Sequence, residues 1–387
     1  MQSADVVIVG AGVIGASAAY HLAAQGCRDV LVIERHPEPG LGSTGRATGG
    51  FRAQFSTAIN VQLSLLARAK LRRFADEHGV DGGYQPYGYL FVARDPAQLA
   101  ALHAAQQMQQ ALGLHEAQRV DPAAIRRLNP ALACDDLCGG VFCPSDGFIR
   151  PLQILGGYLA SAARLGVRFA YGLSWTGLDL DRSGRVTTVH TSHGPIAAGC
   201  VINATGAWAA QALEQLGVAL PVRPLCRKVA VTEPTTVLPT EMPMTIFVED
   251  GFHLRERDGR VLLLWPDPAP DGPSFEASVD DGWLDAVVAM AHRRVPCLRP
   301  LAIDRARCWA GLYEMSPDKH ALLGAAPGIP NLYLINGSSG HGVMHAPALG
   351  QLLAELILDG AAHTLDIHAL RPSRFAEGQP NASSEWL

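Results

Sequence analysis

The chain has 387 residues, 48% of them apolar, which is enough for more than one hydrophobic core and unlike a disordered composition. Its net charge of −5 is spread over both signs with no basic arm or stripe, which excludes a dedicated nucleic-acid surface. The apolar runs stop short of a membrane span and no cleavable leader precedes the first predicted strand, so we expect a cytoplasmic protein with no transmembrane segment.

In chain order, the first element is a strand over 5–9, whose unbroken run Val6–Val9 suits a parallel strand buried on both faces. Gly10-Ala-Gly12-Val-Ile-Gly15 follows directly, then a helix over 13–25 stopped by Gly26, then a strand over 30–33 ending at Glu34 and Arg35. Each glycine has a distinct task. Gly10 permits the tight turn, Gly12 admits a pyrophosphate close to the backbone, and Gly15 lets helix and strand pack together. Val13 and Ile14 open the helix, whose N–H groups and positive dipole end suit a phosphate. Glu34, about 20 residues after the last glycine, is placed to accept ribose hydroxyl protons and to repel a 2′-phosphate.

The small-residue segment 40–50 is expected to be a loop threading past an extended ligand, with Ser43 and Thr44 offering hydroxyls to phosphates. The eight cysteines are scattered, as in reduced cytosolic proteins. Cys134, Cys138 and Cys143 match no zinc or iron–sulfur spacing, and no metal site is expected. A helix over 152–165 and a short strand at 166–169 come next. Segments 186–191 and 196–198 alternate as an antiparallel pair around His193-Gly194, and 200–203 reads as a further buried strand. That strand closes on Ala204-Thr205-Gly206-Ala-Trp208, a second small-residue turn able to bring backbone N–H groups to a ligand. Strands follow at 228–232 and 261–265, with a proline-rich loop over 265–270. Near the C-terminus, a strand over 331–336 leads into Gly337-Ser-Ser-Gly340-His341-Gly342-Val343-Met344 and a helix through 348–358, a third glycine turn before a helix. Three separated glycine turns suit one long dinucleotide spanning a discontinuous domain, which favours FAD over NAD.

With these motifs the sequence resembles the D-amino-acid-oxidase-like FAD oxidoreductases of the sarcosine oxidase, glycine oxidase and proline dehydrogenase type. The resemblance rests on the first glycine motif with Glu34-Arg35, on Ala204-Thr-Gly206, on Gly311-Leu-Tyr-Glu-Met-Ser-Pro-Asp318 and on Gly337–Gly342. It implies an α/β fold: a discontinuous Rossmann-like FAD domain (1–81, 146–215 and 311–387) and a substrate domain with a mixed sheet and helices (82–145 and 216–310). It implies oxidation of a small amine or amino acid by hydride transfer to flavin N5, giving an imine, with electrons passing to oxygen, a quinone or a partner protein. Two other readings go with the family: the flavin subunit of a hetero-oligomeric dehydrogenase, and a non-catalytic flavoprotein assembly factor.

The segment 47–56, with Thr48, Gly49 and Gly50, looks like the family's flavin-facing loop, and Arg52 matches an active-site Arg suited to a substrate carboxylate. His341 matches a His near the flavin, and Met344 stands where sarcosine oxidases have a carboxylate-binding Lys. Tyr313 is a candidate to line the pocket over the ring. Gly311 stands where those oxidases attach FAD through a Cys, so FAD is expected to be non-covalent; Cys308 is off register. Leu263 aligns with their oxygen-activating Lys, which points to a dehydrogenase. His253 and Arg255 rank as weaker pocket candidates, and Arg223, Arg227 and Lys228 read as structural or surface groups.

Overall fold

The computed structural model of the chain describes residues 2–214, 216–266 and 274–382. Residue 215, at an expected domain boundary, and residues 267–270 of the expected proline-rich loop lie outside them.

The apolar run after Asp5 sits at the centre of an eight-stranded sheet. Its strand, Gln2–Val9, pairs in parallel with Val30–Glu34 on one side and Gly194–Asn203 on the other. Arg168–Tyr171 extends the sheet beyond Val30–Glu34, and Ile329–Asn336 extends it beyond Gly194–Asn203, both in parallel. Leu322–Ala326 closes that second side antiparallel to Ile329–Asn336. The sequence divides 196–203 into two strands, whereas the chain runs through as one. Gln2–Val9 fills one edge of it; the other edge is shared, first by Val186–Thr191 and then by Ile329–Asn336. Trp175–Leu180 pairs onto Val186–Thr191.

Helices Val13–Ala24, Ala58–Leu71, Pro151–Arg164 and Gly342–Asp359 share one apolar core with the sheet's face. The last of these begins at Gly342, ahead of the expected 348, and contains Pro347. A proline this near the start of a helix removes one backbone hydrogen bond without ending it.

A second eight-stranded sheet has the order Trp309–Met315, Arg223–Val231, Arg260–Leu264, His253–Arg257, Met244–Phe247, Tyr89–Ala93, Gly139–Cys143 and Gln118–Val120. Its pairings are antiparallel except between Met244–Phe247 and Tyr89–Ala93. Strand alternation gives it two faces. Ala230, Leu263 and Leu254 pair across three strands on the face that packs against helix Asp281–Arg294. Val229, Leu264, His253 and Ile246 form the neighbouring row on the opposite face. Trp309–Met315 straddles the boundary expected at residue 311; it pairs with Arg223–Val231 along its whole length, so the chain leaves this sheet only after Met315.

Candidate active site

Where the strand Gln2–Val9 ends, the chain turns sharply at Gly10, whose φ of +111° is rarely open to an L side chain. A Cβ there would lie 2.4 Å from the Ala204 carbonyl oxygen, so the first and second small-residue turns touch. A Cβ at Gly15 would lie 2.0 Å from the Gly10 oxygen; this glycine serves helix–strand packing and is not on the cavity wall. The Glu34 carboxylate accepts the Ala11 N–H at 2.9 Å and the His36 N–H at 3.0 Å, which ties the end of the second strand to the glycine turn. The Arg35 guanidinium stacks 3.7 Å above the Trp208 ring, linking the second strand to the segment after Gly206.

The expected loop at 40–50 contains one helical turn, Ser43–Arg46. Thr44 Oγ1 accepts the Val13 N–H at 3.1 Å and so occupies one of the helix's open donors. The Ser43 hydroxyl, expected to face a phosphate, instead donates to the Leu312 carbonyl at 2.7 Å, tying this turn to the second sheet. Neither Gly12 nor His341, the N-cap residues of helices Val13–Ala24 and Gly342–Asp359, makes a side-chain cap, and both helix starts line one cavity. Gly50 passes so close to Tyr89 that a Cβ would lie 2.0 Å from the hydroxyl oxygen.

That cavity has a volume of about 550 Å³. Apart from Gly15, all of the residues expected at the site lie on its wall: Gly10, Gly12, Val13, Ile14, Glu34, Arg35 and Ser43–Thr44 near the first turn; Thr48–Gly50 and Arg52; Ala204–Gly206 and Trp208; Gly311 and Tyr313; and Gly340–Met344. Residues 173–177, the start of strand Trp175–Leu180 and the two residues before it, border it as well, a contribution the sequence did not signal because their segment carries no glycine motif.

Among the expected substrate-side residues, Arg52 is 2% exposed. Its guanidinium donates to the Gln54 carbonyl at 3.1 Å and to His341 Nε2 at 3.1 Å, and lies 4.2 Å from the Phe55 ring centre. Arginine can only donate, so His341 Nε2 is an acceptor and the ring's proton sits on Nδ1. Burial, together with the Arg52 charge, keeps His341 neutral by pushing its pKa well below the ordinary value. Tyr313 leans on Gly340, where a Cβ would come within 2.4 Å of its ring.

The second sheet supplies groups that the sequence ranked low or missed. His253 faces the cavity; its Nδ1 is 2.8 Å from the Gly251 oxygen, and burial pushes its pKa down to about 4. Arg255 turns to the loop instead, donating to the Thr48 carbonyl at 2.8 Å in the segment 47–56. Arg227 and Lys228, read as structural or surface groups, both border the cavity; Arg227 lies 5.8 Å from the Tyr313 ring centre, and Lys228 also pairs with Asp280. Leu263, placed over the ring by alignment, packs on the opposite face of the sheet, and Leu264 takes the cavity side. The lack of a nearby cation inferred from Leu263 therefore does not follow. The physical reason is register: a slip of one residue along a strand exchanges its two faces. Cys308 contacts Val231 N and the Asp304 carbonyl, and no cysteine among the described residues is on the cavity wall.

The chain matches the family described as FAD dependent oxidoreductase over residues 5–356. It is similar to FAD-dependent oxidoreductase domain-containing protein 1 of Xenopus laevis, at 28% identity over 98% of this chain and 84% of that protein. It is also similar to the mitochondrial dimethylglycine dehydrogenase of Rattus norvegicus, at 29% identity over 97% of this chain and 45% of that protein. Among solved structures, L-proline dehydrogenase from P. horikoshii aligns with a TM-score of 0.90 and 26% identity, covering 98% of this chain and 100% of that one.

Proposed function

Because this chain belongs to the FAD-dependent oxidoreductase family, we propose that it oxidises a small amine or amino acid (a secondary amine, N-methyl or D-amino acid, or a proline-like compound) whose carboxylate is held by Arg52. The protein is an FAD-binding enzyme of the amine and amino acid oxidising type. The cavity fits that cofactor. Gly10 makes the tight turn and Gly12 leaves the backbone open to a pyrophosphate, two helix starts without a side-chain cap from their own N-cap residues face the same space, and Glu34 keeps acceptor capacity for a ribose. No cysteine lies on the described wall, which leaves no thiol there for a cysteinyl link to the cofactor. In this reading residues 1–81, 146–215 and 311–387 hold the cofactor and the remaining segments cover the substrate.

The chemistry supplied by bound FAD is acceptance of a hydride from the carbon next to the substrate nitrogen. What the chain's own residues do is bind, orient and dry that carbon. Gln54 and His341 fix the Arg52 guanidinium, a planar group whose shape matches a carboxylate. His253, with Nδ1–H on the Gly251 carbonyl, presents Nε2 as an acceptor for a substrate N–H, and its low pKa keeps it unprotonated at neutral pH. Met244, Ile246, Leu264 and Met344 make the wall around them apolar, which excludes water and strengthens the charge pairing.

The observation that carries this reading is the Arg52 guanidinium, buried on the cavity wall between neutral histidine and aromatic groups. The test adds amines and D- or L-amino acids to the yellow protein without oxygen and follows loss of the flavin absorbance. We expect a subset of amino acids to bleach it. Arg52→Lys should weaken binding of carboxylate substrates by about 100-fold, roughly the value of a charged, two-point hydrogen bond, and leave substrates lacking a carboxylate little changed. Equal affinity of the two proteins for a carboxylate substrate would remove Arg52 from this role. Acid precipitation should release the FAD into solution; a yellow pellet would mean a covalent link.

A further inference from the structure

Tyr89 brings an oxygen to the cavity wall that the packing around it does not require. The residue is 4% exposed and belongs to an apolar cluster with Phe91, Phe148, Met244 and Ile246, where a phenylalanine ring would fill the same space. Its hydroxyl makes no hydrogen bond with any described residue. Nor is that oxygen sealed behind the wall: it keeps open surface where Tyr89 lines the cavity. A buried phenol normally finds a partner, because leaving it unpaired costs roughly 1–3 kcal/mol. Here the fold supplies the oxygen and leaves its partner to whatever occupies the cavity.

The hydroxyl is held in a fixed relation to Arg52. A Cβ at Gly50 would lie 2.0 Å from Tyr89 Oη, so the hydroxyl abuts the backbone two residues before Arg52. The Tyr89 carbonyl accepts the Gln54 side-chain amide at 3.0 Å, and the Gln54 carbonyl accepts the Arg52 guanidinium at 3.1 Å. We propose that the Tyr89 hydroxyl is a second donor to the substrate carboxylate held by Arg52, and that the pair selects an acid over its amide. Burial raises the pKa of the phenol, outweighing the opposite pull of the Arg52 and Arg255 charges, so the hydroxyl keeps its proton at neutral pH and has it to donate. A carboxylate accepts from a guanidinium and a hydroxyl at once, and its charge strengthens both bonds; an amide carries no charge and a single acceptor oxygen. The inference rests on the carboxylate reading of the proposed function and names a further residue for it.

Tyr89→Phe removes the hydroxyl and keeps the ring. No hydrogen bond within the described protein is lost, so its Tm should equal or exceed that of wild type. FAD-loaded wild type, Tyr89→Phe and Arg52→Lys are titrated with benzoate and with benzamide, its uncharged counterpart, and binding is read from the change in flavin absorbance. Wild type should bind benzoate the more tightly. Tyr89→Phe should weaken benzoate about tenfold, the scale of one hydrogen bond to a charged group, and leave benzamide little changed. Benzoate binding at the wild-type level in Tyr89→Phe, alongside a loss in Arg52→Lys, would overturn the Tyr89 contact and leave Arg52 in its role; a lowered Tm in that case would mean that the hydroxyl serves only the fold. An equal loss for benzoate and benzamide in Tyr89→Phe would also overturn it, since the contact would not be to the charged group. Wild-type protein that binds benzoate no more tightly than benzamide would overturn the Arg52 clamp, and the Tyr89 contact with it.

Discussion

Asp146 shows how a single side chain off the cavity wall can place one that lies on it. Its carboxylate is fully buried and accepts the Ala53 N–H at 2.7 Å, the Gln54 side-chain amide at 3.2 Å and the Gln54 N–H at 3.4 Å. Those are the two residues that follow Arg52, so the carboxylate fastens the loop that aims the guanidinium. Burial outweighs these bonds and raises its pKa to about 6. Asp146→Ala would leave buried donors unpaired at a cost of roughly 1–3 kcal/mol each. We expect a KM for carboxylate substrates at least about tenfold higher in Asp146→Ala, with most of it recovered in Asp146→Asn, which keeps an acceptor. Steady-state kinetics on a substrate found by the anaerobic screen decide this; an unchanged KM would show that Arg52 is held by its other contacts. Arg52 itself was legible from its motif. Asp146 was not, because Ser-Asp-Gly reads as an ordinary turn and nothing local says that it faces residue 53.

At the scale of elements, the site depends on two helices whose starts line the cavity and whose bodies cross closely. At Gly350 an added Cβ would lie 2.3 Å from Ser17 Oγ and 2.7 Å from the Ser17 carbonyl carbon, and that hydroxyl donates to the Ala346 carbonyl at 2.7 Å. The crossing tolerates no side chain, so Gly350→Ala must push the helices apart. We expect a loss of about 1–3 kcal/mol, seen as a lower Tm, together with weaker FAD binding as the helix starts shift. Thermal unfolding that matches wild type would refute the close crossing. In sequence, Pro347 argues against a helix running through it, which is why the expected helix starts late, at 348; Gly350 lies inside the expected span but disfavours it locally. Tertiary contact overrides those local preferences: the helix buries a face against its neighbour and the glycine is what permits the approach.

Across the whole molecule, several histidines are buried in the uncharged form. Burial lowers the pKa of His21 and His345 to about 3 and of His78 and His253 to about 4. In the unfolded chain each would titrate near 6.5, so between about 6.5 and 4 the unfolded state binds more protons and stability falls with falling pH. Asp146 and Glu314 act in the opposite sense, because their raised pKa values let the folded state take up protons first. Four histidines against two acids leave a net loss. Asp318 adds a second, lower window. Arg374 holds it by two hydrogen bonds, at 2.8 and 2.9 Å, and its pKa is lowered to about 2, so its contribution is present above pH 4 and is lost as pH falls through 2. Calorimetric Tm values at pH 7.5, 5.5 and 4 should decline stepwise; a flat profile would count against the buried neutral rings.

What the sequence alone determined is local: the strand–turn–helix–strand unit with its three glycines and Glu34, and the two later glycine turns. Each is specified within a few consecutive residues, where backbone sterics and helix dipoles act without help from the rest of the chain. Only the tertiary structure decided which face of each strand meets the cavity. It brought His253, Arg227, Lys228 and Glu314 to the wall and turned Leu263 away. The reason is that side chains alternate along a strand, so a shift of one residue inverts every assignment, and the pairing that fixes the register comes from segments distant in the chain.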